Sequence, residues 1–241
     1  MNNFDIYNPA FVRDLFSEMS RTYGLTNLIS SFGFCQRWRN QCVAQVSLQP
    51  GMIVCDLMTG MGECWPPIGT ALQARGQLFA LDFSPEMCRR AHANRIRLSP
   101  LDVMVLEADV LSSSIASASV DGVISTFGLK TLNDEQKSTL AQEIQRILKP
   151  GGVFSLLEIS VPPNRLLQLP YLFYLKRVIP LIGKLLLGNP DNYRMLGIYT
   201  EQFHSCQQFT AALRDAGLRA NERSFFFGCA SGVCGYKPAF Q

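Results

Sequence analysis

The chemistry-bearing stretch of this chain is Asp56-Leu57-Met58-Thr59-Gly60-Met61-Gly62-Glu63, two glycines bracketed by acids. Glycine has no side chain, so the backbone N–H groups of such a loop can approach a ligand closely. Trp65 stands where the third glycine of a dinucleotide-binding G-x-G-x-x-G would fall, which argues against a pyrophosphate. No Gly-Lys-Ser/Thr follows, which argues against a triphosphate. What remains is an adenosine ligand without phosphates. Asp82, 20 residues beyond Gly62, can accept from both hydroxyls of a ribose, and Asp109 from an adenine amino group. S-adenosylmethionine suits such carboxylates, because it carries a sulfonium and an ammonium and no phosphate. The plainer alternative makes Asp56 and Asp82 turn or helix-capping acids.

These residues need a frame, and the hydrophobic pattern supplies one. Short β-rich runs at 52–57, 78–82, 103–106, 120–125 and 153–159 alternate with helical patterns at 63–75, 84–97 and from Asp134 onward. Ser84-Pro85-Glu86 combines a cap, a proline at the first helical position and an acid in the first turn. Lys149-Pro150-Gly151-Gly152 ends the helix begun at Asp134. Strand–helix–strand alternation implies a parallel sheet with helices on both faces. The pattern then changes to an apolar, proline-broken segment at 162–188, a helix at 209–216 closed by Gly217, and β-like runs at 224–227 and 232–236 that read as a hairpin. Ahead of the core lie helical stretches at 11–19 and 36–46.

Composition narrows the class. With 241 residues, 47% hydrophobic and 17% charged, the chain buries an ordinary core without disulfides or a structural metal. The net charge of +3 excludes a strong polyanion binder, and no nucleic-acid partner is expected. The eight cysteines form no C-x-x-C pair, so neither a disulfide framework nor a zinc site is expected. The longest apolar run, 166–187, is broken by Pro170, Lys176, Arg177, Pro180 and Lys184 and is not a spanning helix. The opening residues lack the basic start and apolar core of a secretory signal, and the expected compartment is cytoplasmic.

The chain resembles the class I S-adenosylmethionine-dependent methyltransferases, and within them the ubiquinone/menaquinone biosynthesis C-methyltransferases. Arg37-Trp38-Arg39, Leu81-Asp82-Phe83-Ser84-Pro85-Glu86-Met87, Phe127-Gly128-Leu129, Arg146-Ile147-Leu148-Lys149-Pro150-Gly151-Gly152, Leu157-Glu158-Ile159-Ser160 and Tyr193-Arg194 echo that family in order. The resemblance implies an α/β fold: a Rossmann-like seven-stranded methyltransferase sheet, mostly parallel with a final antiparallel hairpin. It is expected to form one domain, with an N-terminal helical cap (1–50), a cofactor-binding core (51–160), an inserted apolar lid (161–205) and a C-terminal helix and hairpin (206–241). By position it implies S-adenosylmethionine held by Asp82, Asp109, Val110 and Thr126; with Asp56, Gly60 and Gly62 of the loop and Phe83 beside Asp82, these are the expected cofactor-binding residues. The family's usual Phe-Gly-Leu-Arg-Asn reads Phe127-Gly128-Leu129-Lys130-Thr131 here, which alters a pair associated with activating a hydroquinone.

Methyl transfer is an in-line displacement in which the protein positions the acceptor and manages its proton. For a phenolic ring, a base or a cation beside the ionising hydroxyl supplies electron density to the neighbouring carbon. Lys130 at the tip of the fourth strand, His204 and Tyr23 are the candidates for that catalytic work. Phe127, Tyr193 and Tyr174 are expected to contact the acceptor. The segment 162–188 reads either as a core helix pair or as a channel for a small lipophilic acceptor that touches a membrane surface. The expected reaction is C-methylation of a quinol-like ring. Methylation of N, O or S on another small molecule or lipid, and a non-methylating cofactor-binding role, stand as alternatives.

Overall fold

A computed structural model describes residues 5–95, 101–186 and 188–239. Seven strands form one sheet: β1 (Ile53–Leu57), β2 (Gln77–Asp82), β3 (Asp102–Glu107), β4 (Val120–Thr126), β5 (Leu148–Ile159), β6 (Arg219–Phe225) and β7 (Ala230–Tyr236). Their order is β3-β2-β1-β4-β5-β7-β6, and β7 runs opposite to the other strands. The order reverses at β1, between β2 and β4, so the crevice at the carboxyl ends of those strands is where an open α/β sheet takes a ligand.

Alternating residues of the central strands face opposite layers. Cys55 and Val123 pack against α6 (Asp134–Ile147) and α10 (Gln207–Asp215), whereas Val54 and Ile124 pack against α3 (Phe34–Ala44) and α4 (Trp65–Ala71). Local signals start the helices. Ser84 Oγ accepts from Met87 N (3.3 Å) at the head of α5 (Pro85–Arg95). At α6, Asn133 and Gln136 cap each other, both bonds at 2.9 Å. The end of α5 expected at Arg97 lies outside the described residues.

Two helices cover the crevice, α1 (Pro9–Met19) and α2 (Tyr23–Ser30). The apolar segment forms one long helical rod: α7 (Arg165–Phe173), a π turn (Tyr174–Val178) and α8 (Ile179–Leu185). Pro180 has no N–H for the carbonyl four residues back, and the wide turn directly before it opens the helix where its ring would collide. Next comes α9 (Pro190–Phe203), which presses on the rod through glycines. A Cβ on Gly183 would lie 2.3 Å from the Tyr193 ring, and one on Gly197 would lie 3.2 Å from the Leu175 backbone. No helix among the described residues is long and apolar enough to cross a membrane.

One strand sits differently from the sequence expectation. The aromatic run expected as a strand at 224–227 contributes only its first residues to β6, and Phe226–Gly228 forms the turn that follows. The strand itself is the polar Arg219–Phe225, an edge whose exposed face tolerates charge.

Candidate active site

The glycine loop leaves β1 with Met58, Gly60 and Gly62 all at positive φ. Trp65 explains the absent third glycine. Its ring fills the space where a Cβ on Gly62 would sit, at 2.5 Å, and its Nε1–H donates to Thr59 Oγ1 (2.8 Å). Thr59 Oγ1 in turn donates to Asp56 Oδ2 (2.5 Å). Asp56 is buried beneath the loop and does not border the crevice, so it holds the loop's shape instead of touching a ligand. Burial pushes its carboxyl pKa up to about 7, against the donated hydrogen bond from Thr59.

Above the loop lies a cleft of about 880 Å³ of open space. Gly60, Asp82, Phe83, Asp109, Val110 and Thr126 border it, as the sequence reading expects. Gly62 does not, because it is committed to the Trp65 contact. Asp82 Oδ2 accepts from Gly60 N and Oδ1 from Ser84 N, both at 2.9 Å, which fixes the carboxylate at the tip of β2. Burial still raises its pKa to about 6, with those two N–H groups opposing.

Two further residues of the cleft escaped the sequence reading. Arg39 on α3 is buried, its guanidinium carbon 5.0 Å from the centre of the Phe127 ring, and its Nε has no partner among the described residues. Glu63 accepts from Met61 N through Oε2 (3.0 Å), while its buried Oε1 is likewise unpartnered. An unpartnered guanidinium nitrogen and an unpartnered carboxylate oxygen, both buried and both from residues of one cleft, suit a ligand carrying both charges. S-adenosylmethionine carries both charges, a carboxylate and an ammonium at its amino-acid end, and Arg39, Glu63, Asp82 and Asp109 all border the cleft.

Beside the cleft is a second, apolar chamber of about 1310 Å³ of open space, bordered by α2, α3, the rod, α9 and the turn after β6. The two cavities have only Tyr23 and Phe127 in common among the described residues. Phe127 is held at φ 67°, a strained backbone for a bulky residue of the kind found at functional sites. Burial raises the Tyr23 phenol well above its ordinary range, so at neutral pH it can donate a hydrogen bond but is a poor base.

Lys130 borders the chamber but is not a free amine. Its Nζ donates to Glu158 Oε1 (2.7 Å) and to the Phe127 carbonyl (3.0 Å), and its backbone N–H donates to Glu158 Oε2 (3.1 Å). Both side chains are buried. Tyr174 also borders the chamber, its hydroxyl donating to the Ser30 carbonyl (2.6 Å) and tying the rod to α2. Cys35 and Cys229 border it too, and all eight cysteines are unbridged.

The remaining two expected residues lie elsewhere. Tyr193 is fully buried against Gly183, with its hydroxyl 2.8 Å from Thr22 Oγ1, and borders neither cavity: its ring clamps α9 onto the rod. His204 is exposed at the end of α9, borders neither cavity, and its carbonyl accepts from Val161 N (2.7 Å).

Sheet order, the glycine loop after β1, the acid at the tip of β2 and the final antiparallel hairpin together define a class I methyltransferase fold. Solved structures agree at that level. Magnesium protoporphyrin IX methyltransferase from Synechocystis PCC 6803, solved with bound SAH, aligns at a TM-score of 0.62 with 18% identity, covering 97% of this chain and all of that one. An S-adenosylmethionine-dependent methyltransferase from Aquifex aeolicus aligns at 0.58 with 19% identity, covering 82% and 88%. The profile of the ubiE/COQ5 methyltransferase family matches residues 5–237, and the chain belongs to that family. It is an S-adenosylmethionine-dependent methyltransferase. Among curated relatives, demethylmenaquinone methyltransferases from Lactiplantibacillus plantarum and Thermus thermophilus are 32% and 31% identical, covering 95% and 93% of this chain and 96% and 100% of theirs.

Proposed function

We propose that this enzyme methylates a ring carbon of a reduced, prenylated quinol that lies in the apolar chamber, drawn from a membrane surface by peripheral contact. The observation that carries the reading is the pairing of cavities: an adenosine-type cleft and an apolar chamber meet at Tyr23 and Phe127. The demethylmenaquinone methyltransferase relatives support a quinol as acceptor.

S-adenosylmethionine supplies the methyl group and its own leaving group. The protein's work is to hold the ring in line and to favour the ionised hydroxyl. Arg39, Glu63 and Asp82 hold the cofactor, with Asp109 at its adenine side. Phe127 and Tyr23 frame the passage, the former fixed by the Arg39 guanidinium on its face. Lys130 places a cation beside the ionising hydroxyl, and Glu158 holds that cation in position. A lysine keeps the positive charge of the arginine usual in the family, so the altered pair retains the means to stabilise an oxyanion. Tyr174 and the rod enclose the apolar end of the acceptor.

The test is a reaction of the purified protein with methyl-labelled S-adenosylmethionine and a reduced, short-tailed demethylnaphthoquinol, the product being mapped by mass spectrometry and NMR. Label on a ring carbon supports the reading. Label on oxygen, or transfer to polar acceptors alone, overturns it.

A further inference from the structure

The chamber opens onto a face that an isolated soluble protein has no reason to build. Three separate segments place apolar side chains around it: Leu28 and Phe32 from α2 and the turn after it, Leu166, Leu169 and Phe173 from α7, and Phe227 from the turn after β6. All are exposed, Phe32 at 81%, Leu166 at 86% and Phe227 at 78%. Their immediate neighbours Ser31, Leu167 and Phe226 border the chamber, so the exposed group rims its mouth. Exposed apolar side chains gathered from three segments around one cavity mark an interaction site.

Backbone geometry supplies an independent observation. Phe32, Phe226 and Phe227 are held at φ 50°, 43° and 56°, a region that bulky L-residues rarely enter. The Phe226 ring packs against Phe34 at 4.6 Å and against Phe227 at 5.5 Å, forming an aromatic path from the chamber wall to solvent. The strained turn therefore presents a ring outward, and packing inside the protein does not account for that direction.

Charge decides the occupant. Neither residues 23–37 nor residues 162–186 contain an Asp or Glu. Arg37, Arg165, Arg177 and Lys184 in these segments are exposed, and none forms an ion pair among the described residues. Apolar side chains flanked by unpaired cations with no acids match an anionic lipid surface. A second copy of this chain would set these cations against one another.

Resting on the quinol reading, we infer that this face is a bilayer-docking surface: α2, α7 and the Phe226–Phe227 turn enter the interface and set the chamber mouth against anionic lipid, so that a prenylated acceptor passes into the protein laterally. Phe227 is the wedge, and Arg177 and Lys184 contact the headgroups.

Sedimentation with phosphatidylcholine vesicles, with and without phosphatidylglycerol, tests this at low and high salt. The wild type is expected to bind the anionic vesicles and to be released by salt. Phe227→Asn with Leu169→Gln should weaken binding by about tenfold or more. Asn tolerates the left-handed backbone, so that variant retains the fold. Arg177→Glu with Lys184→Glu should abolish the salt-sensitive part, roughly fivefold per cation lost. Turnover of a short-tailed acceptor in solution should be unchanged in both variants, while turnover of a long-tailed acceptor in vesicles should fall with binding. A wild type that ignores anionic vesicles, variants that bind as it does, or a dimer that Phe227→Asn dissociates would overturn the inference. Methylation of the short-tailed quinol without vesicle binding removes the docking surface and leaves the quinol reading. Vesicle binding without methylation of any quinol does the reverse.

Discussion

Asp82 both fixes the glycine loop and borders the cleft. Its two oxygens already accept from Gly60 and Ser84, and burial still lifts its pKa to about 6. The ionised carboxylate is the better acceptor for ribose hydroxyls, so cofactor affinity should rise as pH passes through about 6 and level off above it. Calorimetry across that range should show the rise. Asp82→Ala should lower affinity at least tenfold, at about 1.5–3 kcal/mol for each charge-assisted bond lost. Asp56 bears on stability instead. Its folded value of about 7 exceeds the ordinary 3.8, so between these values the native state keeps a proton that the unfolded chain has released, and stability falls as pH rises through the window. Denaturant unfolding should record that slope, and Asp56→Asn should flatten it. Lys130→Met strands a buried Glu158 and should cost about 3–5 kcal/mol, read as a lowered melting temperature. Adding Glu158→Gln should restore folding. If Lys130 stabilises the acceptor oxyanion, this double variant turns over about 10²–10³-fold more slowly with unchanged cofactor affinity.

At the scale of elements, legibility followed locality. Strands β1 to β5 and the starts of α5 and α6 were readable because their signals lie within a few residues: a cap, a proline, an alternation between apolar and turn residues. The Trp65 ring over Gly62 was not, since its direction is set by the packing of α4 under the loop. Arg39 and Glu63 lie 24 residues apart and border one cleft only because α3 packs on the sheet beside it. Their signals were present, Arg39 in the Arg-Trp-Arg stretch and Glu63 directly after the second glycine, but no spacing rule joins them. The expectation of an acceptor contact at Tyr193 comes with the Tyr193-Arg194 pair of the family resemblance, and the close approach of Gly183 makes the ring a packing joint instead. That joint is testable. Gly183→Ala drives a Cβ to 2.3 Å from the Tyr193 ring and should cost about 1–3 kcal/mol, seen as a lower melting temperature and a raised KM for a long-tailed acceptor. Tyr193→Phe, which loses one hydrogen bond to Thr22, should cost about 1 kcal/mol.

Over the whole molecule, the reversal of strand order at β1 places the cleft, while α1, α2 and the rod decide what else can reach it. The sheet frames the cleft, and the helices build the chamber beside it. Cleft and chamber lie on either side of α3 and the turn after β4, and share only Tyr23 and Phe127 among the described residues. Two cavities that share only two side chains predict that either ligand can bind first, a random kinetic order with no compulsory leading substrate. Initial-velocity plots should intersect, and spent cofactor should compete with fresh cofactor while leaving the acceptor's hold on the protein intact. An enzyme built this way can keep its place beside a scarce acceptor and exchange its methyl donor from the other side.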